Sequence, residues 1–147
     1  MKIKLILPGT VRTKKNSRQI SLLPSKHQTG IFTSRRGRLI QAMAFPRPGK
    51  AYLKWETIAR IEARQQLPKG FILFKGPIAI NAQIFYKGNK PDAQGAYEAI
   101  ADCLQGYAYD NDRQIEHWDG SRMIHDLKNP RTEITISEIE AMESNAQ

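Results

Sequence analysis

The 147-residue chain carries 23 Lys and Arg against 14 Asp and Glu, a formal net charge of +9, and 40% of its residues are hydrophobic. These values fit one globular domain and exclude intrinsic disorder, collagen and coiled-coil fibres. The sequence lacks an apolar run near the ~20 residues of a membrane span, and its first apolar stretch is too short for a signal peptide. Because Cys103 is the only cysteine, an internal disulfide is excluded and we expect a cytoplasmic protein.

The positive charge is concentrated in the first part of the sequence. Residues 1–60 contain a single acidic residue, Glu56, whereas residues 111–147 contain more acidic than basic residues. A block this basic is typical of proteins that bind a polyanion, because each phosphate contact releases condensed counterions. Basic surfaces also serve solvation alone, so charge favours a nucleic-acid partner without identifying it.

The first elements in chain order are a strand and a basic, loop-rich part. Residues 2–7 alternate polar and apolar side chains and predict a strand that ends at Pro8 and Gly9. Residues 10–38 are rich in Lys, Arg, Ser and Gln and predict a loop with at most a short hairpin. The segment 45–49 contains two prolines and a glycine and predicts a break in the chain, so 10–50 as a whole is expected to be basic and loop-rich.

Two helices are predicted, one on each side of a strand. The first covers about 51–66, since apolar residues recur three apart at Tyr52, Trp55, Ile58 and Ile61. The strand covers 78–86, where apolar residues alternate. The second helix runs from Asp92 or Ala93 to Gln105, with Asp92 as N-cap and Gly106 as its stop. Its apolar side is predicted to consist of Ala93, Ala96, Tyr97, Ile100, Cys103 and Leu104.

The last part of the chain predicts three short strands, over 114–118, 122–125 and 132–139. A polar tail, 140–147, is expected to fray. Strands and helices interleave without a regular strand–helix–strand rhythm. We therefore expect an α+β fold, one domain with two main helices packed on a mixed β-sheet.

Five acidic residues surround the second helix in the sequence. Asp92 precedes the helix, Glu98 and Asp102 lie four apart on its polar side, and Asp110 and Asp112 follow it. Side chains four apart on a helix share a face, as do those two apart in an extended segment. Clustered carboxylates favour Mg²⁺ or Mn²⁺, which polarise phosphate oxygens and activate water. The same spacing also fits a helix cap, a solvated helix face and a turn.

Other catalytic patterns are excluded by the sequence. His27, His117 and His125 have neither the spacing nor the cysteine partners of a zinc site. A P-loop, a GxGxxG motif and a GxSxG nucleophile motif are all missing from the sequence. Enzymes that use a nucleophilic side chain or a nucleotide cofactor are therefore disfavoured.

Two segments around the second helix, 91–104 and 109–115, resemble the RusA-type Holliday-junction resolvases. The pattern of that family is Pro-Asp-x-Asp-Asn-x-x-Lys, then Asp-x-Leu, then Asp-Asp-x-Gln-Ile. Weaker similarities are found in 7–9 with 14–18, in the spacing from Tyr52 to Trp55, and in 132–136. The resemblance implies a RusA-like domain over 1–147 and a homodimeric, Mg²⁺-dependent endonuclease that nicks four-way DNA junctions in recombination and repair.

The resemblance also implies roles for individual residues. Asp92 and Asp112 match metal-binding, catalytic aspartates of the family, and Asp102 matches the acid of Asp-x-Leu. The sequence departs from the pattern at four positions, where Gln94 replaces an aspartate, Gly95 an asparagine, Glu98 the lysine and Asn111 an aspartate. Losing a ligand and reversing a charge weaken catalysis in the family's usual geometry.

The remaining acids suggest a displaced metal site. We hypothesise that one or two Mg²⁺ ions, or Mn²⁺ in their place, bind Asp92, Glu98, Asp102 and Asp112, with Asp110 in reserve. The basic block is expected to hold the phosphate backbones of junction arms. The residues assigned to this contact are Lys14, Lys15, Arg18, Arg35, Arg36 and Arg38.

Two alternatives to the nuclease remain open. One is a catalytically degenerate relative that binds branched DNA without cutting it, and the other is an RNA-associated protein whose acids are structural. Tyr52, Trp55 and Tyr97 could stack on bases, but their helical spacing favours core or dimer packing. A two-fold dimer would present the two identical sites that paired cuts require.

Overall fold

The structure is a computed structural model in which residues 1–14, 18–24, 30–33, 36–37 and 39–140 are described. It contains two helices, α1 (Lys50–Gln66) and α2 (Ala93–Leu104), among the described residues. The strands are β1 (Lys2–Pro8), β2 (Arg18–Pro24), β3 (Gly30–Thr33), β4 (Leu39–Pro48), β5 (Ile78–Tyr86), β6 (Ile115–His117), β7 (Arg122–His125) and β8 (Arg131–Glu138). A short 3₁₀ helix, Asp112–Gln114, precedes β6.

A mixed five-stranded sheet carries the hydrophobic core. β8 lies between β1 and β5 and is antiparallel to both, while β6 and β7 follow one another along the other edge of β5 and are parallel to it. Every second residue of β1, β5 and β8 is buried, as alternating strands with one covered face require. Buried residues of α1, α2 and these strands form one hydrophobic cluster. The predicted α+β fold is confirmed.

The helix α1 lies where it was predicted, but the apolar residues spaced three apart do not all face the core. Trp55 is buried, whereas Ile58 and Ile61 are exposed, and Ala59 and Ala63 take their places in the core. The reason is geometric. Successive residues of a helix are about 100° apart, so residues three apart fall about 60° short of a full turn. A row of residues with this spacing winds around the helix and leaves the side that faces the core.

The basic part of the chain contains more strands than predicted. β2, β4 and β3 form a separate antiparallel sheet, so the expectation of a loop over 10–38 is wrong at 18–24 and 30–33, whereas the described residues 10–14 and 36–37 lie outside strands and helices. The predicted break at 45–49 is also wrong, because β4 continues to Pro48. β3 pairs with residues 39–42 of β4, so among the described strands only β2 lies beside Pro46. A residue without an N–H is tolerated at such an edge.

An α1 side chain bonds the outer edge of β1. The Gln66 amide oxygen accepts from the backbone N–H of Ile6 at 2.7 Å, and its amide nitrogen donates to the Ile6 carbonyl, also at 2.7 Å. The side chain thus pairs with the edge strand as another strand would, which disfavours edge-to-edge association. None of the described helices is long and apolar enough to cross a membrane.

Replacing Gln66 with Ala is expected to lower the free energy of unfolding by about 1 kcal/mol, because two exposed hydrogen bonds to β1 are lost. Urea denaturation measures the change. Gln65→Ala is the matched control, since Gln65 is the neighbouring exposed glutamine of the same helix. An equal loss in both variants would contradict the edge contact.

Candidate active site

A groove of about 620 Å³ runs between α2 and residues 112–118. Its two walls meet because β6, which follows the 3₁₀ helix, pairs with the start of β5, the strand that precedes α2. The polar lining consists of Gln94, Glu98 and Asp112. The apolar lining consists of Ala93, Tyr97, Ala101, Ile115 and Trp118.

Asp112 is held in the groove by the turn around it. It begins the 3₁₀ helix, which Asn111 caps with its side chain. Gln114 accepts from the backbone N–H of Asn111 at 2.9 Å and donates to the carbonyls of Phe74 and Gly76 at 2.8 and 2.9 Å. Because neighbouring side chains supply these bonds, the Asp112 carboxylate remains available to the groove.

Glu98 and Gln94 reach the same groove from α2, one helical turn apart. The opposite side of this helix is anchored in the core, where Cys103 is fully buried and burial raises the pKa of its thiol to about 12. The Tyr109 hydroxyl adds a buried bond by donating to the Ala101 carbonyl at 2.8 Å. α2 therefore presents Gln94 and Glu98 from a fixed backbone.

The other three predicted acids have partners within the protein. Asp92 caps α2, as predicted, by accepting from the backbone N–H of Gly95 at 2.9 Å. Asp102 pairs with Lys14, and Asp110 pairs with Lys75 at 2.6 Å. The groove lining contains none of these three residues. Of the five acids, the structure brings together Glu98 and Asp112 in the groove.

Asp102 belongs to a second polar cluster, between α1 and α2. Its carbonyl accepts from Arg60 at 3.2 Å, and Arg60 pairs with Glu56 at 2.8 Å. The Lys14 ammonium lies over the Tyr52 ring, 5.6 Å from its centroid. Burial, with the nearby negative charges of Glu56 and Asp102, raises the Tyr52 pKa well above its usual range. Lys14 and Arg60 thus balance the acids of this cluster without a bound ion.

A double-mutant cycle measures the pairing of Lys14 with Asp102. For Lys14→Met and Asp102→Asn, we expect a coupling of about 1 kcal/mol in the free energy of unfolding, because the pair is partly shielded from water. The control cycle uses Lys75→Met and Asp110→Asn, a more exposed pair, for which the coupling should stay below about 0.5 kcal/mol. Urea denaturation of all variants gives both values. Equal couplings would contradict the role of shielding.

The predicted DNA-binding residues lie only partly within the described chain. Arg36 is exposed, in agreement with a surface contact, whereas the Lys14 side chain is paired with Asp102. Arg18 lies opposite Pro48 in the β2–β4 ladder. The remaining three, Lys15, Arg35 and Arg38, lie outside the described residues.

Sequence reasoning missed Trp118 as part of the site. Its ring stacks on Tyr97 with centroids 4.7 Å apart and planes 14° apart. Tyr97 was predicted to pack in the core or a dimer interface. It is half-buried, packs against the core and also lines the groove. The two residues belong to different elements, so periodicity along either one carries no signal of their contact. An aromatic residue at the end of the predicted strand 114–118 was the only available hint.

The described residues contain no group of three or more His, Cys, Asp or Glu that could hold a metal ion. A metal in the groove would therefore depend on two carboxylates, those of Glu98 and Asp112, with the remaining ligands from outside the protein.

Comparison with known proteins gives the family of this chain. A search among curated proteins found no match. The family model described as endodeoxyribonuclease RusA matches residues 32–137, which is most of the chain and includes α1, α2 and both walls of the groove. The chain therefore belongs to the RusA endodeoxyribonuclease family.

Proposed function

We propose that this protein is a metal-dependent, structure-selective endonuclease that resolves four-way DNA junctions. The observation that carries the proposal is that Glu98 and Asp112 line one groove, within the segments that resemble the catalytic motif of the family. Membership of an endodeoxyribonuclease family supports DNA as the substrate and phosphodiester hydrolysis as the reaction.

Magnesium is the ion proposed for the groove. Mg²⁺ is commonly bound by one or two protein carboxylates and completes its six ligands with water and substrate phosphate. Glu98 and Asp112 would supply the carboxylates. Bound there, the ion would polarise the scissile phosphate and lower the pKa of an attacking water. The task of the chain is to hold both carboxylates on rigid elements that position them against the phosphate.

Asp92 caps α2 through one carboxylate oxygen, whereas Asp102 and Asp110 are each paired with a lysine, so for these two, joining the metal site would mean exchanging the lysine for the metal. For Asp102 the exchange would release Lys14, whose ammonium would then be free to meet a DNA phosphate. A metal contact by Asp102 and a DNA contact by Lys14 would therefore both compete with the pair that these two residues form.

A two-fold dimer is part of the proposal. Leu53, Ile58 and Ile61 are 43%, 42% and 51% exposed, so α1 offers apolar surface that a second copy would bury. Burying this side of α1 against a second copy would place two grooves on one junction. Sedimentation equilibrium should give a dimer, and Ile61→Lys should shift it to a monomer.

A binding protein that does not cut is the second candidate. It is favoured by the internal ion pairs of Asp102 and Asp110 and by Glu98, which places a negative charge where the resemblance leads one to expect a lysine. In this case the groove and the basic residues would hold branched DNA, and the acids would serve the fold.

One assay separates the candidates. A labelled four-way junction and a linear duplex of the same sequence are incubated with the protein in EDTA, Mg²⁺ or Mn²⁺. The proposal predicts nicks near the branch point with either metal, none in EDTA, and an intact duplex. Junction binding without nicks in any condition would favour the second candidate. Preference for folded RNA over the junction would contradict both.

A further inference from the structure

The lining of the groove suits a ligand other than a bare phosphate. Five of the residues that line it are apolar or aromatic, and none of the described lining residues is basic. A phosphodiester would find no cation there unless a metal were bound. Flat, mostly apolar walls with a few polar groups are typical of pockets for planar organic ligands, and the volume lies in their usual range.

The aromatic pair supplies a flat surface. Tyr97 and Trp118 are nearly parallel, and both are only partly buried although they pack against the core. Each ring holds the other in place, so little conformational entropy remains to be lost when a third ring stacks on them. Protein aromatics of this kind bind unpaired nucleobases in single-stranded nucleic acid.

Gln94 gives this surface a hydrogen-bonding group. It lies one helical turn before Tyr97 and Glu98, on the same wall of the groove. Its amide offers donors and an acceptor together, which matches the edge of a nucleobase. The resemblance leads one to expect an aspartate at this position. An amide binds a metal ion less well than a carboxylate does, but it can both donate and accept hydrogen bonds with a base.

We propose that the groove binds an unpaired nucleobase at the branch point, stacked on Tyr97 and Trp118 and hydrogen-bonded by Gln94. This inference rests on the proposed function, because the base belongs to the branched DNA whose backbone is to be cut. The stacked base would fix the nucleotide beside Asp112 and so select where the backbone is placed against the carboxylates.

The test compares two junctions that differ at one nucleotide, an unpaired adenine or an abasic residue at the branch point. Fluorescence anisotropy in EDTA measures binding without cleavage. The wild-type protein should bind the adenine junction about 10-fold more tightly, the range that stacking of one base provides. Trp118→Leu should abolish the difference, and Trp118→Phe should retain most of it. Gln94→Ala should reduce the difference less than Trp118→Leu does.

The outcomes separate this inference from the proposed function. Tight binding of both junctions with equal affinity by the wild-type protein would overturn the base site alone. Failure to bind any junction would overturn the proposed function and the base site with it. Because the decisive comparison uses the wild-type protein, it does not depend on whether Trp118→Leu folds, and thermal melting of the Phe variant checks that replacement is tolerated.

Discussion

Replacing Asp112 with Asn is expected to lower junction cleavage by about 100-fold or more, while junction affinity in EDTA changes by less than about twofold. An amide removes one of the two charges that would hold Mg²⁺ in the groove, and transition-state charge stabilisation of this kind carries most of the rate. The fold should be unaffected, because Asn111 and Gln114 make the hydrogen bonds that shape this turn. Rates are measured at saturating protein on a labelled junction.

Glu116→Gln is the matched control for this prediction. Glu116 is an exposed acid in β6, four positions further along the chain, and it does not line the groove. The same charge is removed there without touching the proposed metal site. Isothermal titration with Mn²⁺ adds a second measurement, since Asp112→Asn should weaken Mn²⁺ binding and Glu116→Gln should not. Equal rates and equal Mn²⁺ affinities in the two variants would refute a metal site at Asp112.

If catalysis follows the usual family geometry and Glu98 is not a metal ligand, restoring the family pattern at two positions is expected to raise cleavage by about 10-fold or more. The double variant Gln94→Asp with Glu98→Lys adds a carboxylate at the start of α2 and a cation one turn later, both on the groove. Both positions are exposed, so the core is not disturbed. α2 has no acid in its first turn, so Gln94→Asp also places a negative charge where the helix dipole favours it.

The single variants and Glu98→Gln complete this experiment. If cleavage requires the usual family geometry, the double variant should exceed either single one. If the groove works with Glu98 as a metal ligand, Glu98→Gln and Glu98→Lys should both reduce cleavage. The usual family geometry thus predicts that adding Glu98→Lys to Gln94→Asp raises cleavage, whereas Glu98 as a metal ligand predicts that it lowers cleavage.

Gly95 is left unchanged in that design for a steric reason. A Cβ at this position would lie 3.1 Å from Thr13 Cγ2 and 3.2 Å from the Asp92 carboxylate that caps α2. The asparagine that the resemblance leads one to expect would press on both. Its absence follows from the close packing of this chain around the helix start, and restoring it would test packing as much as chemistry.

The local elements of the fold could be predicted because their signals are local. Asp92, Gly106 and the apolar side of α2 define that helix within about a dozen residues, and alternation defines β1 and β5. The β2–β4–β3 sheet was missed because its strands alternate poorly and one contains two prolines. Those prolines are tolerated because of how the strands pair, and the sequence alone does not show that pairing.

The amino-acid sequence by itself determined the class of fold, the extent of both helices, the cap at Asp92 and the family resemblance in 91–115, because each depends on residues close together in the chain. Only the tertiary structure decided how the five acids divide. Lys14 reaches Asp102 across 88 positions and Lys75 reaches Asp110 across 35, while Glu98 and Asp112 are left to one groove. Helical and strand periods fix which side of an element a carboxylate occupies, but the partner it meets there depends on how the elements pack.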